Sequence, residues 1–128
     1  MYDSEETFSI GGRVRSMQHA FDGVFEMVRG QHNAWIHLLA TVCTVTLAAF
    51  LGVSRVEWCI LVLTIVSVWV AEALNTAFEL LCDIASPDFH PLVKQCKDVA
   101  AGAVLLSAVG AVVIGMIIFL PYLLALSG

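Results

Sequence analysis

From Asn33 onward the chain is built of three long apolar runs separated by short polar breaks, and a segment of different periodicity precedes them. Between Arg13 and Gly30 the apolar residues Val14, Met17, Phe21, Val24, Phe25 and Val28 recur at helical spacing, with Arg15, Gln18, Asp22, Glu26 and Arg29 on the other faces. That pattern predicts an amphipathic helix over 13–30, lying on a membrane surface. Residues 1–11 are expected to form a loosely attached tail. The apolar runs predict membrane helices over about 33–53, 56–85 and 92–126, each long enough at 1.5 Å per residue to cross a hydrocarbon core about 30 Å thick. Gly52-Val53-Ser54-Arg55 reads as a short turn, and Ser86-Pro87-Asp88-Phe89-His90-Pro91 as a loop punctuated by two prolines. The expected fold is therefore all-α and membrane-integral, in a single domain spanning 1–128.

Composition agrees with this pattern. Hydrophobic residues make up 59% and charged residues 13% of the 128 positions, and the mean hydropathy is +0.89, far from the soluble norm of about 25% charged. A net charge of −5 argues against a nucleic-acid partner. The acidic start, Met1-Tyr2-Asp3-Ser4-Glu5-Glu6, is unlike the positive region that opens a signal peptide. Of the six bases, Arg13, Arg15, Arg29, Lys94 and Lys97 fall on one side of a three-span topology and only Arg55 on the other. The positive-inside rule then places the N-terminus and the loop at 86–91 in the cytosol. Cys43, Cys59, Cys82 and Cys96 show no metal-binding spacing and are expected to be free.

One polar row breaks the second apolar run. Glu72, Asn75, Glu79 and Asp83 are spaced by three, four and four residues, which puts them within about 80° of one another on a helix. A mid-membrane carboxylate costs about 2.5–3.5 kcal/mol on insertion scales, so its default reading is functional. Carboxylate and carboxamide oxygens suit a hard cation such as Mg²⁺. With the helix entering the core near Glu57, Glu72 lies about 22 Å further along, below the cytosolic surface, while Glu79 and Asp83 emerge at the interface. Such a site suits a reaction joining a lipid group to a soluble one. In the third run Ala103, Ser107, Ala111 and Gly115 form a small-residue row that favours close helix packing, within the subunit or in an oligomer. Trp35, Trp58 and Trp69 read as membrane anchors or packing residues, Glu57 as solvated, and His19, His32 and His37 as interfacial polar residues.

The stretch Glu72-Ala-Leu-Asn75-Thr76-Ala-Phe-Glu79-Leu-Leu-Cys-Asp83, followed fourteen residues after Asp83 by Lys97-Asp98-Val-Ala-Ala-Gly-Ala, strongly resembles the two signature blocks of the small prokaryotic diacylglycerol kinase family, which includes undecaprenol kinases. The resemblance covers about residues 13–122. It implies an ATP-dependent lipid kinase with three spans and a surface helix, working as a homotrimer whose active sites lie between subunits. By the same resemblance Glu72 would be the general base that takes the proton from the lipid hydroxyl, and Asn75 would position the reacting groups. Glu79 would bind the Mg²⁺ that bridges ATP phosphates. Lys97 would contact those phosphates, with Asp98, Asp88, Phe89 and His90 bordering the nucleotide and Asp83 supporting the site. Arg13 and Arg15 are candidates for phosphate contact or for attraction to anionic lipid, and His19 for facing the nucleotide. Phosphoryl transfer needs these same parts: charge neutralisation and in-line positioning. The chain has no soluble-kinase or P-loop motif.

The sequence departs from the family at Gln31, which stands where an acidic metal ligand is expected and offers only a neutral oxygen. Asn75-Thr76, His90-Pro91, the Lys97 block, Phe119-Leu120-Pro121 and the Asn33–His37 stretch look more like the undecaprenol kinase branch than the diacylglycerol one. Two other functions stay open: a small proton-coupled transporter using an intramembrane Glu, and a catalytically impaired family member with a structural or regulatory role. Self-association is expected because three spans have little surface with which to enclose both nucleotide and lipid. The number three comes from the resemblance alone.

Overall fold

The computed structural model describes residues 8–128 and is all-helical, with α1 at Ile10–Gly30, α2 at His32–Leu51, α3 at Arg55–Ala85 and α4 at Pro91–Ser127. Seven residues of the expected N-terminal tail, Met1 to Thr7, lie outside the described residues. The helix expected from Arg13 begins at Ile10 instead, because Ser9 is extended and its Oγ accepts from Gly12 N at 2.9 Å, which satisfies one of the orphan donors of the first turn. The three later helices fall within two residues of the expected bounds, and all three are long and apolar enough to cross a membrane.

Each break between helices has a local cause. Gln31 is the one residue between α1 and α2, held extended at φ −116°, ψ 122°. Gly52 closes α2 in the left-handed region at φ 65°, and its N–H and that of Val53 both return to Ala48 O. Only glycine enters that region without steric cost. Ser54 then opens α3 with a capping box. Glu57 N donates to Ser54 Oγ at 3.3 Å, and Ser54 N donates to Glu57 Oε2 at 2.8 Å. Pro91 occupies the first turn of α4, where its missing N–H costs nothing, and His90 Nδ1 accepts from Leu92 N at 3.2 Å.

The principal packing is between α3 and α4, an antiparallel pair closed by the 86–90 loop. Polar clasps set its register at both ends. Lys97 Nζ donates to Asp83 Oδ1 at 2.5 Å near the loop, and Tyr122 Oη donates to Glu57 Oε2 at 2.6 Å at the far end. Glu57 is thus committed to its cap and to Tyr122, where solvation was expected. The apolar core gathers at that far end: Ala48, Val53, Leu61, Ile118 and Phe119 are buried, with Trp58 and Tyr122 packed on them.

By contrast α2 packs on α3 and α4 sparsely. Between the three helices runs an apolar cavity of about 610 Å³, and Ala111 and Gly115 of the small-residue row line it. Within the protomer that part of the row therefore meets open space, which answers only the within-subunit half of the packing expected of it. Apolar side chains such as Leu39, Phe50, Leu63, Leu106, Met116 and Ile117 are exposed. Water would not tolerate that much apolar surface, but hydrocarbon does. The chain is a membrane protein.

The left-handed turn yields a test. Gly52→Ala is expected to lower the thermal midpoint of the detergent-solubilised protein, by the equivalent of about 1–2 kcal/mol, and Gly52→Asn to lower it less, as followed by circular dichroism.

Candidate functional site

The polar row of α3 is one face with a gradient of burial along it. Glu72 is 0% exposed and Asn75 4% exposed, Glu79 is half-buried, and the Asp83 side chain is 65% exposed. Burial by the protein thus falls along the row, from its buried end at Glu72 to its exposed end at Asp83 beside the 86–90 loop.

At the middle of the row a neutral–acid–neutral cluster forms. Asn75 Nδ2 donates to Glu79 Oε1 at 3.3 Å, one helical turn away. Gln31 Nε2 donates to Glu79 Oε2 at 3.4 Å, from the break between α1 and α2. The extended backbone at Gln31 turns the chain there and brings its carboxamide to α3 across 48 residues of sequence. Among the described residues two buried oxygens have no partner: Asn75 Oδ1 and Glu72 Oε1. An unsatisfied buried acceptor costs about 1–3 kcal/mol, so two on one helix face mark a place built for something besides stability.

Glu72 is held from the other side by a residue that sequence reasoning did not assign to the site. His37 Nε2 lies 3.2 Å from Glu72 Oε2, and the histidine side chain is 13% exposed. His37 is therefore an interior residue rather than an interfacial one. The available signal was its place within an apolar run, four residues before Thr41 and on the same helix face. Trp69, expected as an anchor or packing residue, also makes a directed bond: its Nε1 donates to Thr41 Oγ1 at 3.0 Å.

Lys97 and Asp83 meet at the exposed end of the row, as described, and Lys94 Nζ pairs with Asp98 Oδ2 at 2.6 Å on the exposed face of α4. In the loop, Asp88 and Phe89 are exposed and His90 is spent on its cap. Arg13, Arg15 and His19 lie exposed on α1, and among the described residues no hydrogen bond or ion pair joins them to the α3 row. The Arg13 guanidinium lies instead over the Phe8 ring, 5.4 Å from its centroid. The row, Gln31 and Lys97 are thus brought together by the protomer, while the α1 bases are not. All four cysteines are free.

Three apolar helices around a buried carboxylate and a carboxamide-flanked second acid define a small membrane-embedded helical protein with a polar site at one end. The family model described as prokaryotic diacylglycerol kinase matches residues 18–119, and the chain belongs to that family. Over 110 residues it is 42% identical to the undecaprenol kinase of Bacillus subtilis, an alignment covering 85% of this chain and 89% of the relative. It is 39% identical over 112 residues to the diacylglycerol kinase of Synechocystis, covering 87% of this chain and 64% of that longer relative. With the diacylglycerol kinase of Helicobacter pylori it shares 31% identity over 127 residues, 93% of this chain and 95% of the relative. The protein is a lipid kinase, and the transporter reading falls away.

The buried acid predicts a trade of stability for function. Glu72→Gln keeps an acceptor for His37 and removes the desolvated charge, so it is expected to raise the thermal midpoint in detergent. A midpoint below that of the wild type, in the same unfolding scan, would count against a destabilising carboxylate.

Proposed function

We propose that the chain transfers the γ-phosphate of ATP to the hydroxyl of a membrane lipid alcohol, undecaprenol in preference to diacylglycerol, on the cytosolic side of a bacterial inner membrane. The observation that carries this reading is the gradient along α3. A dry carboxylate with one free oxygen, Glu72, stands about two helical turns from Glu79 and about three from Asp83, the acid paired with Lys97. Lipid hydroxyls arrive from the membrane side and nucleotides from water, so the two ends of the row match the two substrates. The similarity to the Bacillus subtilis undecaprenol kinase over most of both chains supports the choice of lipid.

In this reading Glu72 takes the hydroxyl proton as the lipid oxygen attacks Pγ, and the bond from Pγ to the bridging oxygen of ADP breaks. Asn75 orients the reacting groups from the adjacent turn. Lys97 exchanges its bond to Asp83 for one to the nucleotide phosphates, and Asp83 holds the ammonium in reach until then. Asp98 and the exposed Asp88–His90 loop border the nucleotide. Arg13, Arg15 and His19 reach it from α1, which lies on the membrane surface with Val14, Met17, Phe21 and Phe25 toward the lipid. Three copies assemble with the active sites between them, which covers apolar surface the protomer leaves open.

The cluster around Glu79 fits Mg²⁺ in donor chemistry: its carboxylate and the carboxamide oxygens of Asn75 and Gln31 are hard donors, and Asn75 Oδ1 is buried without a partner, although the two amides now turn their nitrogens to Glu79. Among the described residues no group of three or more His, Cys, Asp and Glu comes together, so a cation there depends on Glu79, Gln31 and the nucleotide. Bound with ATP, Mg²⁺ supplies charge neutralisation at the phosphate oxygens. A single protein carboxylate implies weak retention of the metal without nucleotide.

Incubating the purified protein with labelled ATP, Mg²⁺ and either alcohol tests the activity. Phosphorylated undecaprenol formed faster than phosphatidic acid is the expected result, and no labelled lipid from a folded preparation would defeat the reading. Gln31→Glu restores a second carboxylate and is expected to lower the Mg²⁺ concentration for half-maximal activity. In the absence of nucleotide it should also enlarge the rise in thermal midpoint on adding Mg²⁺. An unchanged titration and an unchanged rise would remove Gln31 from the metal site.

A further inference from the structure

Resting on the reading of Glu72 as the base, we infer that His37 is a positioning residue for it: the His37 imidazole fixes one carboxylate oxygen of Glu72 and leaves the other as the acceptor for the lipid hydroxyl. The geometry is specific. His37 Nε2 and Glu72 Oε2 are 3.2 Å apart, while Oε1 of the same fully buried carboxylate has no partner. For Glu72 to act as the base it must be a carboxylate, which only accepts, and in that state the imidazole donates from Nε2.

His37 is itself held. Its backbone carbonyl accepts from Thr41 Oγ1 at 2.7 Å, and that hydroxyl oxygen accepts from Trp69 Nε1 at 3.0 Å. The Trp69 ring meets the imidazole edge-on, with centroids 6.1 Å apart and planes at 67°. Trp69 and Glu72 are three residues apart on α3, and His37 and Thr41 four apart on α2, so the four side chains form one clasp between two helices that otherwise pack sparsely. The same His37 and Thr41 line the apolar cavity between α2, α3 and α4.

During transfer the lipid O–H bond breaks, its proton goes to Glu72 Oε1, the O–Pγ bond forms and ADP leaves. His37 keeps its own proton throughout. Its contribution is the rotamer of Glu72, because an unclasped carboxylate divides its time among orientations that do not face the hydroxyl. A misplacement of about 1 Å at a reacting group costs roughly 100-fold in rate, and a loss confined to the transition state appears in kcat with KM unchanged.

The test compares His37→Leu, His37→Gln, Trp69→Phe and Glu72→Gln with the wild-type protein in lipid-kinase assays over ATP and undecaprenol concentration. His37→Leu is expected to lower kcat by about 10- to 100-fold, with both KM values within about twofold. His37→Gln, whose amide N–H can replace Nε2–H, should recover most of that loss. Wild-type kcat in His37→Leu, equal impairment in the Leu and Gln variants, or a loss carried by KM would each overturn the positioning role. Should His37→Leu not purify folded, Trp69→Phe decides, since it keeps the ring but removes the bond to Thr41. A lowered kcat at constant KM supports the clasp, and wild-type kcat overturns it. Glu72→Gln separates the two levels. If it is fully active, the base reading fails and the positioning with it. If it is inactive beside a wild-type-like His37→Leu, only the positioning fails.

Discussion

A carboxylate removed from water inside an apolar helix is the constraint around which this protein is arranged. Glu72 is wholly buried by the chain's own atoms, and a desolvated charge is tolerated only with partners. The protomer supplies one, His37, and leaves the second oxygen free. Supplying that partner is what draws α2 against α3 at this level, since few other contacts join the two helices. The break at Gln31 then follows the same geometry. With α2 held at His37, the residue at its start comes within hydrogen-bonding distance of Glu79.

The opposite end of the molecule is organised by ordinary packing. Ala48, Val53, Leu61, Ile118 and Phe119 form the core near the Gly52 turn, and the capping box and Tyr122 secure α3 there. Packing and chemistry are thereby separated along the helix axes. The apolar core lies at one end, while the unsatisfied groups and the row that carries them lie toward the other. For a lipid kinase this division lets the site retain unsatisfied polar atoms without loosening the helical hairpin that carries it.

Much of this was legible in the residues because local rules suffice for it. Helix bounds follow from apolar run length, from Gly52, Ser54 and Pro91, and from the pattern before Gln31. The common face of Glu72, Asn75, Glu79 and Asp83 follows from helical period. Their graded burial follows from distance along α3, and two signature blocks carried the family. The roles of His37, Trp69 and Glu57 were not legible. Each depends on which helix stands opposite, and a membrane span accepts a lone His, Trp or Glu equally well as an anchor, a packing group or a partner. Arg13 and Arg15 show the converse: their charge was plain, but a charge on an exposed helix face does not say what it meets.

The sequence by itself determined the helices, their membrane character and the identity of the polar row, since these rest on periodicity and transfer energy summed along a single segment. Tertiary structure alone decided that Gln31 meets Glu79, that Lys97 is paired with Asp83, and that His37 rather than water satisfies one side of Glu72. Those contacts join residues distant in the chain, and their geometry is set by how helices pack, which no single segment encodes.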